Sequence, residues 1–407
     1  MLRPFRACLT AVLAAGATAQ AGRNLLFYGN SYSARNGGVA ALVRLIAAEA
    51  GHPAPNVVER LASSQDLHFH RTDPGQVAAI TTALPPGQTW DAVILQGQST
   101  EATAALGNPQ QFRADAVGIA ANVRSHSPLA RAVLYQTWAR AVGHHYYPGT
   151  FATPIAMHDE IRANYRLAAA DIEAAFGTGA AVDAAVGDGV ALLEWDPSYY
   201  ESDLYHPLPA MTLLAGMCLY TSIYGATVCE LSPSFAPAGP LASWLTGIGL
   251  SERDWREIAG IADRVADAGL RPYPGSGDHL LMESATLPGL TTACGRNRLP
   301  AGSWVLIRFR SLNGVYDAAP SWLLAGLFPT GSPPGPAAMY PEIRLDLGTM
   351  SVLATTASLG APAALFTRVP FSWPGTSILV QGLAWGPSTA TGNAFFTTTD
   401  GHESVFQ

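Results

Sequence analysis

The chain contains no lysine: all 23 of its basic side chains are arginine. That absence excludes Schiff-base chemistry, which needs a lysine amine, and the P-loop, which needs its phosphate-binding lysine. Charge of either sign is scarce, 13% of the 407 residues, and the formal balance is acidic at -7. Scattered arginines in an acidic chain exclude a nucleic-acid binder, which presents a basic patch. Long apolar runs are missing as well. No stretch reaches the roughly 18 uninterrupted apolar residues of a membrane-spanning helix. Cysteine is limited to Cys8, Cys218, Cys229 and Cys294, with no zinc-site spacing among them. What is abundant is apolar, 48% of residues, together with 40 glycines and 30 prolines. Such a composition is too hydrophobic for a disordered chain, and the length suits two domains that each bury a core.

Arg3 and Arg6 precede the apolar run Ala7–Ala15, and Ala17-Thr18-Ala19 then offers the small-x-small pattern that signal peptidase accepts. Residues 1–19 are therefore expected to be an export signal, giving a secreted or periplasmic protein that starts near Gln20. Cys8 leaves with the signal. The three remaining cysteines allow one disulfide and leave one thiol over, and their spacing does not choose the pair.

Short apolar runs alternate with helical periodicity through the first two thirds of the chain. Asn24–Tyr28, Asn56–Leu61, Asp91–Leu95, Ala132–Gln136 and Val182–Val186 read as strands. Val39–Ala50, Pro109–Ser125, Ala156–Phe176, Pro209–Tyr224 and Ser251–Ala268 read as helices, the last with Ser251 as its N-cap. This alternation implies βαβ crossovers and a parallel sheet, whose ligands sit at the carboxyl ends of the strands. The texture changes after Leu270. Residues 271–284, opening with the Pro- and Gly-rich Arg271–His279, read as a linker. Beyond it come short β-prone runs, Trp304–Phe309, Trp322–Leu327, Ile343–Leu345, Ala364–Val369 and Ser377–Leu383, separated by turn residues. Residues 285–407 are thus expected to form a smaller all-β sandwich.

Three elements fall at the strand ends where chemistry belongs. Ser31 directly follows the first strand on the turn Gly29-Asn30-Ser31, where its hydroxyl can point into the crevice. Asp203 and His206, in Asp203-Leu204-Tyr205-His206, are spaced to face one crevice from a single turn. A serine hydroxyl becomes a nucleophile when a base takes its proton, and histidine does that near neutral pH. A carboxylate on the other ring nitrogen fixes the tautomer and stabilises the imidazolium. Asp188, Asp196 and Glu201 are other acids nearby in sequence, but only Asp203 has the three-residue spacing. The third element is Gln96-Gly97-Gln98 after the Asp91–Leu95 strand. Its side-chain amides, with the Ser31 backbone N–H, are candidate donors to an oxyanion.

Together these blocks resemble the SGNH (GDSL-type) hydrolases. Leu26-Phe27-Tyr28-Gly29-Asn30-Ser31-Tyr32 is similar to their first block, in a G-N-S form, and Asp203-x-x-His206 is similar to their last. Leu95-Gln96-Gly97-Gln98-Ser99 resembles a glutamine-containing third block rather than the commoner G-x-N-D. The resemblance spans residues 24–268. It implies a three-layer α/β/α, flavodoxin-like catalytic domain over residues 20–270. Ser31 would be the nucleophile, His206 the general base and acid, and Asp203 the orienting acid, with no cofactor and no metal. The usual third-block asparagine is missing, so Gln96 or Gln98 would supply its donor, Gln96 preferred because it ends the strand. The second-block glycine is also missing; Ser63-Ser64 occupies its place, and the Ser64 backbone N–H would serve. The second half, through Pro374-Gly375-Thr376, Val380-Gln381-Gly382 and Gly392-Asn393-Ala394, resembles β-sandwich domains appended to exported bacterial proteins, which implies no activity.

Other polar residues read as structural. His68 and His70 alternate as on a strand, without a clear third ligand for a metal. His144-His145-Tyr146-Tyr147 is expected to form a loop over the catalytic edge, there to stack on a sugar or to bury the loop base. Glu101 is expected to be a solvated residue at a helix start. The expectation for the whole is a secreted serine esterase acting on a small-molecule or polysaccharide ester. The alternative is an extracellular glycan- or envelope-binding protein that keeps the fold without catalysis.

Overall fold

The computed structural model describes residues 22–407 apart from 268, 278, 288–291, 370–372 and 389. The expected export signal and Cys8 lie outside the described residues.

The first half runs β1 (Asn24–Gly29), α1 (Ser31–Ala34), α2 (Val39–Glu49), β2 (Asn56–Leu61), α3 (Leu67–Thr72), α4 (Pro74–Thr82), β3 (Ala92–Leu95), α5 (Pro109–His126), β4 (Arg131–Tyr135), α6 (Pro154–Phe176), β5 (Ala181–Ala184), α7 (Val186–Leu192), α8 (Pro209–Tyr224), α9 (Pro240–Gly247) and α10 (Glu252–Val265). The five strands form one parallel sheet in the order β2-β1-β3-β4-β5. That is the flavodoxin-like order, and its direction reverses beside β1, so a crevice opens between the carboxyl ends of β1 and β3. Leu25, Leu26, Phe27 and Tyr28 of β1 are all buried, as a central strand covered by helices on both faces requires. The three-layer α/β/α expectation therefore holds.

Helix α8 is buried continuously from Met211 to Thr221. It packs between α2 and α10. Gly216 lets it lie close to α2, since a Cβ there would stand 2.5 Å from Leu42 Cδ2. Ser251 caps α10 in a capping box with Asp254.

Several boundaries differ from the sequence reading. Strand β5 ends at Ala184, and Val186 already opens α7. Helix α10 stops at Val265 rather than Ala268. His68 and His70 lie on helix α3, not on a strand, because Asp66 caps that helix through the Phe69 N–H.

The second half holds β6 (Leu280–Leu287), β7 (Arg296–Leu299), β8 (Trp304–Ser311), β9 (Ser321–Pro329), β10 (Ser351–Thr356), β11 (Ala363–Arg368), β12 (Thr376–Trp385), β13 (Phe396–Thr398) and β14 (His402–Phe406). One sheet has the order β10-β9-β12-β14-β7, with β13 also on β12, and the other the order β11-β8-β6. Met282, Ile307 and Phe309 of the smaller sheet pack with Leu323, Ala325 and Val380 of the larger in one core, so this half is a sandwich. Strand β8 shows the alternation that one-sided burial dictates, with Val305, Ile307 and Phe309 inward.

Two expectations fail here. Ile343–Leu345 is no strand: Ile343 and Leu345 are buried, but the Arg344 N–H goes to the Gln381 side chain instead of a neighbouring strand. Residues 271–284 are no free linker. Strand β6 begins inside them at Leu280, and Arg271 and Tyr273 are tied to Asp400 and Glu403. The halves are further joined by the Cys229–Cys294 disulfide and by Glu194, which accepts from Arg310 and from the Asn313 N–H. Among the described residues Cys218 is the thiol left over, buried in α8.

Candidate active site

The turn after β1 is built on side-chain hydrogen bonds. Asn30 caps α1 by accepting the Tyr32 N–H, and its amide donates to Gln65 O and Gly97 O. Gln96 accepts the Asn30 N–H at 3.0 Å and the Ser33 hydroxyl at 3.0 Å. Gly29 is required by that closeness: a Cβ there would lie 2.9 Å from Gln96 Oε1 and 2.7 Å from Ser33 Oγ. Ser31 thus begins a short helix at the crevice, its position set by the loops after β2 and β3.

The opposite wall is the segment Tyr200–Pro207, pinched by a bridge between those two residues. Asp203 Oδ1 accepts the backbone N–H groups of Tyr205 and His206, both at 3.0 Å. Asp203 Oδ2 meets His206 Nδ1 at 2.7 Å, and His206 Nε2 meets Ser31 Oγ at 2.9 Å. A carboxylate can only accept, so Nδ1 carries the ring proton and Nε2 is left to receive the serine's. Asn36 ties the two walls together by donating to Pro207 O at 2.8 Å and to the Thr212 hydroxyl. Burial acts to raise the Asp203 carboxyl, but hydrogen bonds from His206 and Tyr205 outweigh it and hold the group below its ordinary range.

The structure therefore brings Ser31, His206 and Asp203 into one hydrogen-bonded line. It corrects the role expected of Gln96. Its amide hydrogens go to Asn30 Oδ1 and Gly97 O, so it holds the turn in place and has no donor left for an oxyanion. Gln98 is half-buried; it accepts from Thr100 and donates to the Ser99 hydroxyl at 3.3 Å. Ser64 is exposed with φ +60°, a left-handed conformation that suits the missing glycine better than serine. Asp188 lies away from this line, bonded to His158 and Arg166, while Glu201 pairs with Arg35.

Glu101 is not solvated as expected. It is buried and accepts the Leu67 and Gln98 N–H groups, bridging the loops after β2 and β3; burial pushes its carboxyl up to about 8. A lone glutamate in a polar loop gives no sequence sign of this.

Arg140, which sequence reasoning missed, is buried beside the site. It donates to the Tyr32 hydroxyl and to Ser99 Oγ at 2.9 Å, with its guanidinium 4.8 Å from the Tyr205 ring centre. Tyr32 stacks on Trp138 at 4.4 Å. In the aromatic loop, Tyr147 donates to Arg140 O and Tyr146 lies under the same guanidinium, so these rings bury the loop base, while His145 is exposed. His70 bonds Gly29 O and His68 faces Asp115, separate partners that share no ligand position. Among the described residues, Glu201, Asp203 and His206 are close enough to share a metal ion, but both His206 nitrogens are engaged by Asp203 and Ser31.

No protein-family model matches the chain, and no curated protein does. Solved structures do. A candidate SGNH hydrolase from Slackia heliotrinireducens is 20% identical with a TM-score of 0.39, over 50% of this chain and 99% of that one. A candidate GDSL-like lipase from Parabacteroides merdae is 16% identical with a TM-score of 0.38, over 51% of this chain and 98% of that one. A family 2 carbohydrate esterase with its carbohydrate-binding domain, from Corynascus thermopiles (Myceliophthora fergusii), is 16% identical with a TM-score of 0.35, over 51% and 68%. The fold itself rests on the strand order of the sheet.

Proposed function

We propose that this chain is an exported SGNH-type serine esterase that hydrolyses carboxylic esters, with acetyl groups on an extracellular polysaccharide as its substrate class. The observation that carries the reading is the line Ser31 Oγ, His206 Nε2, His206 Nδ1, Asp203 Oδ2, with spacings of 2.9 Å and 2.7 Å at its two hydrogen bonds.

In this reading His206 Nε2 takes the Ser31 proton as Oγ attacks the ester carbonyl. The carbonyl π pair moves onto oxygen, and the imidazolium is stabilised by Asp203. Collapse of the tetrahedral intermediate breaks the C–O bond of the leaving alcohol, which receives the proton from Nε2. Water then repeats the cycle on the acyl-Ser31 and releases the acid. The Ser31 and Ser64 N–H groups are the oxyanion donors of this scheme, since Gln96 is committed to Asn30. A neutral nucleophile with a positioned base needs no lysine, in keeping with the composition.

A fluorophosphonate probe tests the reading. Adduct on Ser31 by peptide mass spectrometry is expected, with loss of both labelling and 4-nitrophenyl acetate hydrolysis, by about 10³-fold or more, in Ser31→Ala. A folded wild-type chain that refuses the probe would replace this reading with that of a non-catalytic glycan- or envelope-binding protein.

A further inference from the structure

The sandwich carries a groove that the esterase chemistry does not use. Its volume is about 500 Å³, and Met339, Tyr340, Glu342, Arg344, Asn393 and Phe395 line it. Phe395 is 59% exposed, and its ring lies 6.4 Å from that of Trp385, which is 56% exposed. Aromatic side chains gain most of their stabilisation by burial, so Phe395 left in water on the wall of a concavity, with the exposed Trp385 just outside that wall, marks a binding surface.

The polar groups beside these rings are preset by the framework. Asn393 Oδ1 accepts the N–H groups of Phe395 and Phe396, which fixes the turn that presents Phe395. The Asn393 amide donates to Glu342 Oε1 at 2.7 Å. Glu342 is itself buried, and its carbonyl is held by Gln381 Nε2 and the Thr398 hydroxyl. Arg344 is anchored through its N–H to Gln381 and through Nε to Pro274 O. A carboxylate, an amide and a guanidinium, all planar, therefore line the same groove as the exposed Phe395 ring. The one negative and one positive charge cancel, so the groove has no net pull on an ion. The ligand that matches has an apolar face of C–H groups to lie on a ring and hydroxyls at its edge to meet planar donors and acceptors.

We propose that this groove binds a short segment of neutral polysaccharide. The proposal goes beyond the esterase reading and does not depend on Ser31. The test is affinity electrophoresis of the full chain carrying Ser31→Ala, in gels containing hydroxyethylcellulose, xylan, glucomannan or mixed-linkage β-glucan, with polygalacturonate as the anionic comparison. At least one neutral polymer should retard the protein. Phe395→Ala and Trp385→Ala should each raise its dissociation constant about tenfold. Trp304→Ala, which alters an exposed ring stacked on Phe366 in the other sheet, should leave it unchanged. No retardation by any neutral polymer, stronger retardation by polygalacturonate, or equal loss in all three variants overturns the proposal. Probe labelling of Ser31 in the unmutated chain reports on the catalytic reading separately.

Discussion

Arg140 donates a guanidinium N–H to the Tyr32 hydroxyl, and Tyr32 stands edge-on to the His206 ring with centroids 5.7 Å apart. Among the described residues no carboxylate pairs with Arg140; hydroxyls and ring faces surround its charge instead. Burial pushes the Tyr32 hydroxyl up against the pull of Arg140, so the phenol stays protonated and accepts. The cation is thus held beside the proposed base by neutral groups that leave Asp203 to His206.

Removing that acceptor has a defined cost. Tyr32→Phe leaves a buried guanidinium N–H without its partner, and the expected loss of stability is about 1–3 kcal/mol. Urea denaturation reads it as a lower midpoint with an unchanged slope.

Asp203→Asn should keep the fold and lose most of the proposed esterase activity, by a few orders of magnitude. The amide can donate to His206 Nδ1 and so favours the wrong tautomer, with Nε2 protonated and unable to take the Ser31 proton. Turnover of 4-nitrophenyl acetate measures the loss, and a fluorophosphonate label much slower than wild type accompanies it.

The pH dependence of stability has two limbs. Burial works to raise the Asp400 carboxyl, but Arg264 and Arg271 hold it below the ordinary range. Its folded value is depressed, so its contribution is present above the ordinary carboxylate range and is lost as pH falls through the folded value. Asp400→Asn should flatten the acid limb. Glu101 is the opposite case, raised by burial from 4.5 to about 8. Its contribution is complete below 4.5 and declines as pH rises towards 8, on the order of 1 kcal/mol per pH unit in that window. Glu101→Gln keeps an acceptor for the Leu67 and Gln98 N–H groups and should flatten the decline between those values. Thermal melts across pH measure both.

The Cys229–Cys294 bridge closes a loop of 65 residues between the two halves. Its reduction should cost about 2–4 kcal/mol. In a chain beginning at Gln20, native reduction should expose two thiols to iodoacetamide, and Cys218 should react only after denaturation, because it is buried in α8.

The sequence alone determined the parallel α/β layer, since buried runs such as Leu25–Tyr28 alternate with periodic helices, and local patterning decides local structure. It also determined Ser31, Asp203 and His206 as candidates, because their blocks sit at strand ends. The sandwich was less legible. In β14, His402 and Glu403 are buried through side-chain hydrogen bonds and the polar Ser404 is buried beside them, so no apolar alternation announces the strand. Only the tertiary structure decided which cysteines pair, that Gln96 serves Asn30, and that Glu101 and Arg140 are buried beside the crevice. Each of these depends on partners distant in the chain. A polar side chain's role is set by the groups that meet it after folding, and residue type and spacing carry no record of them.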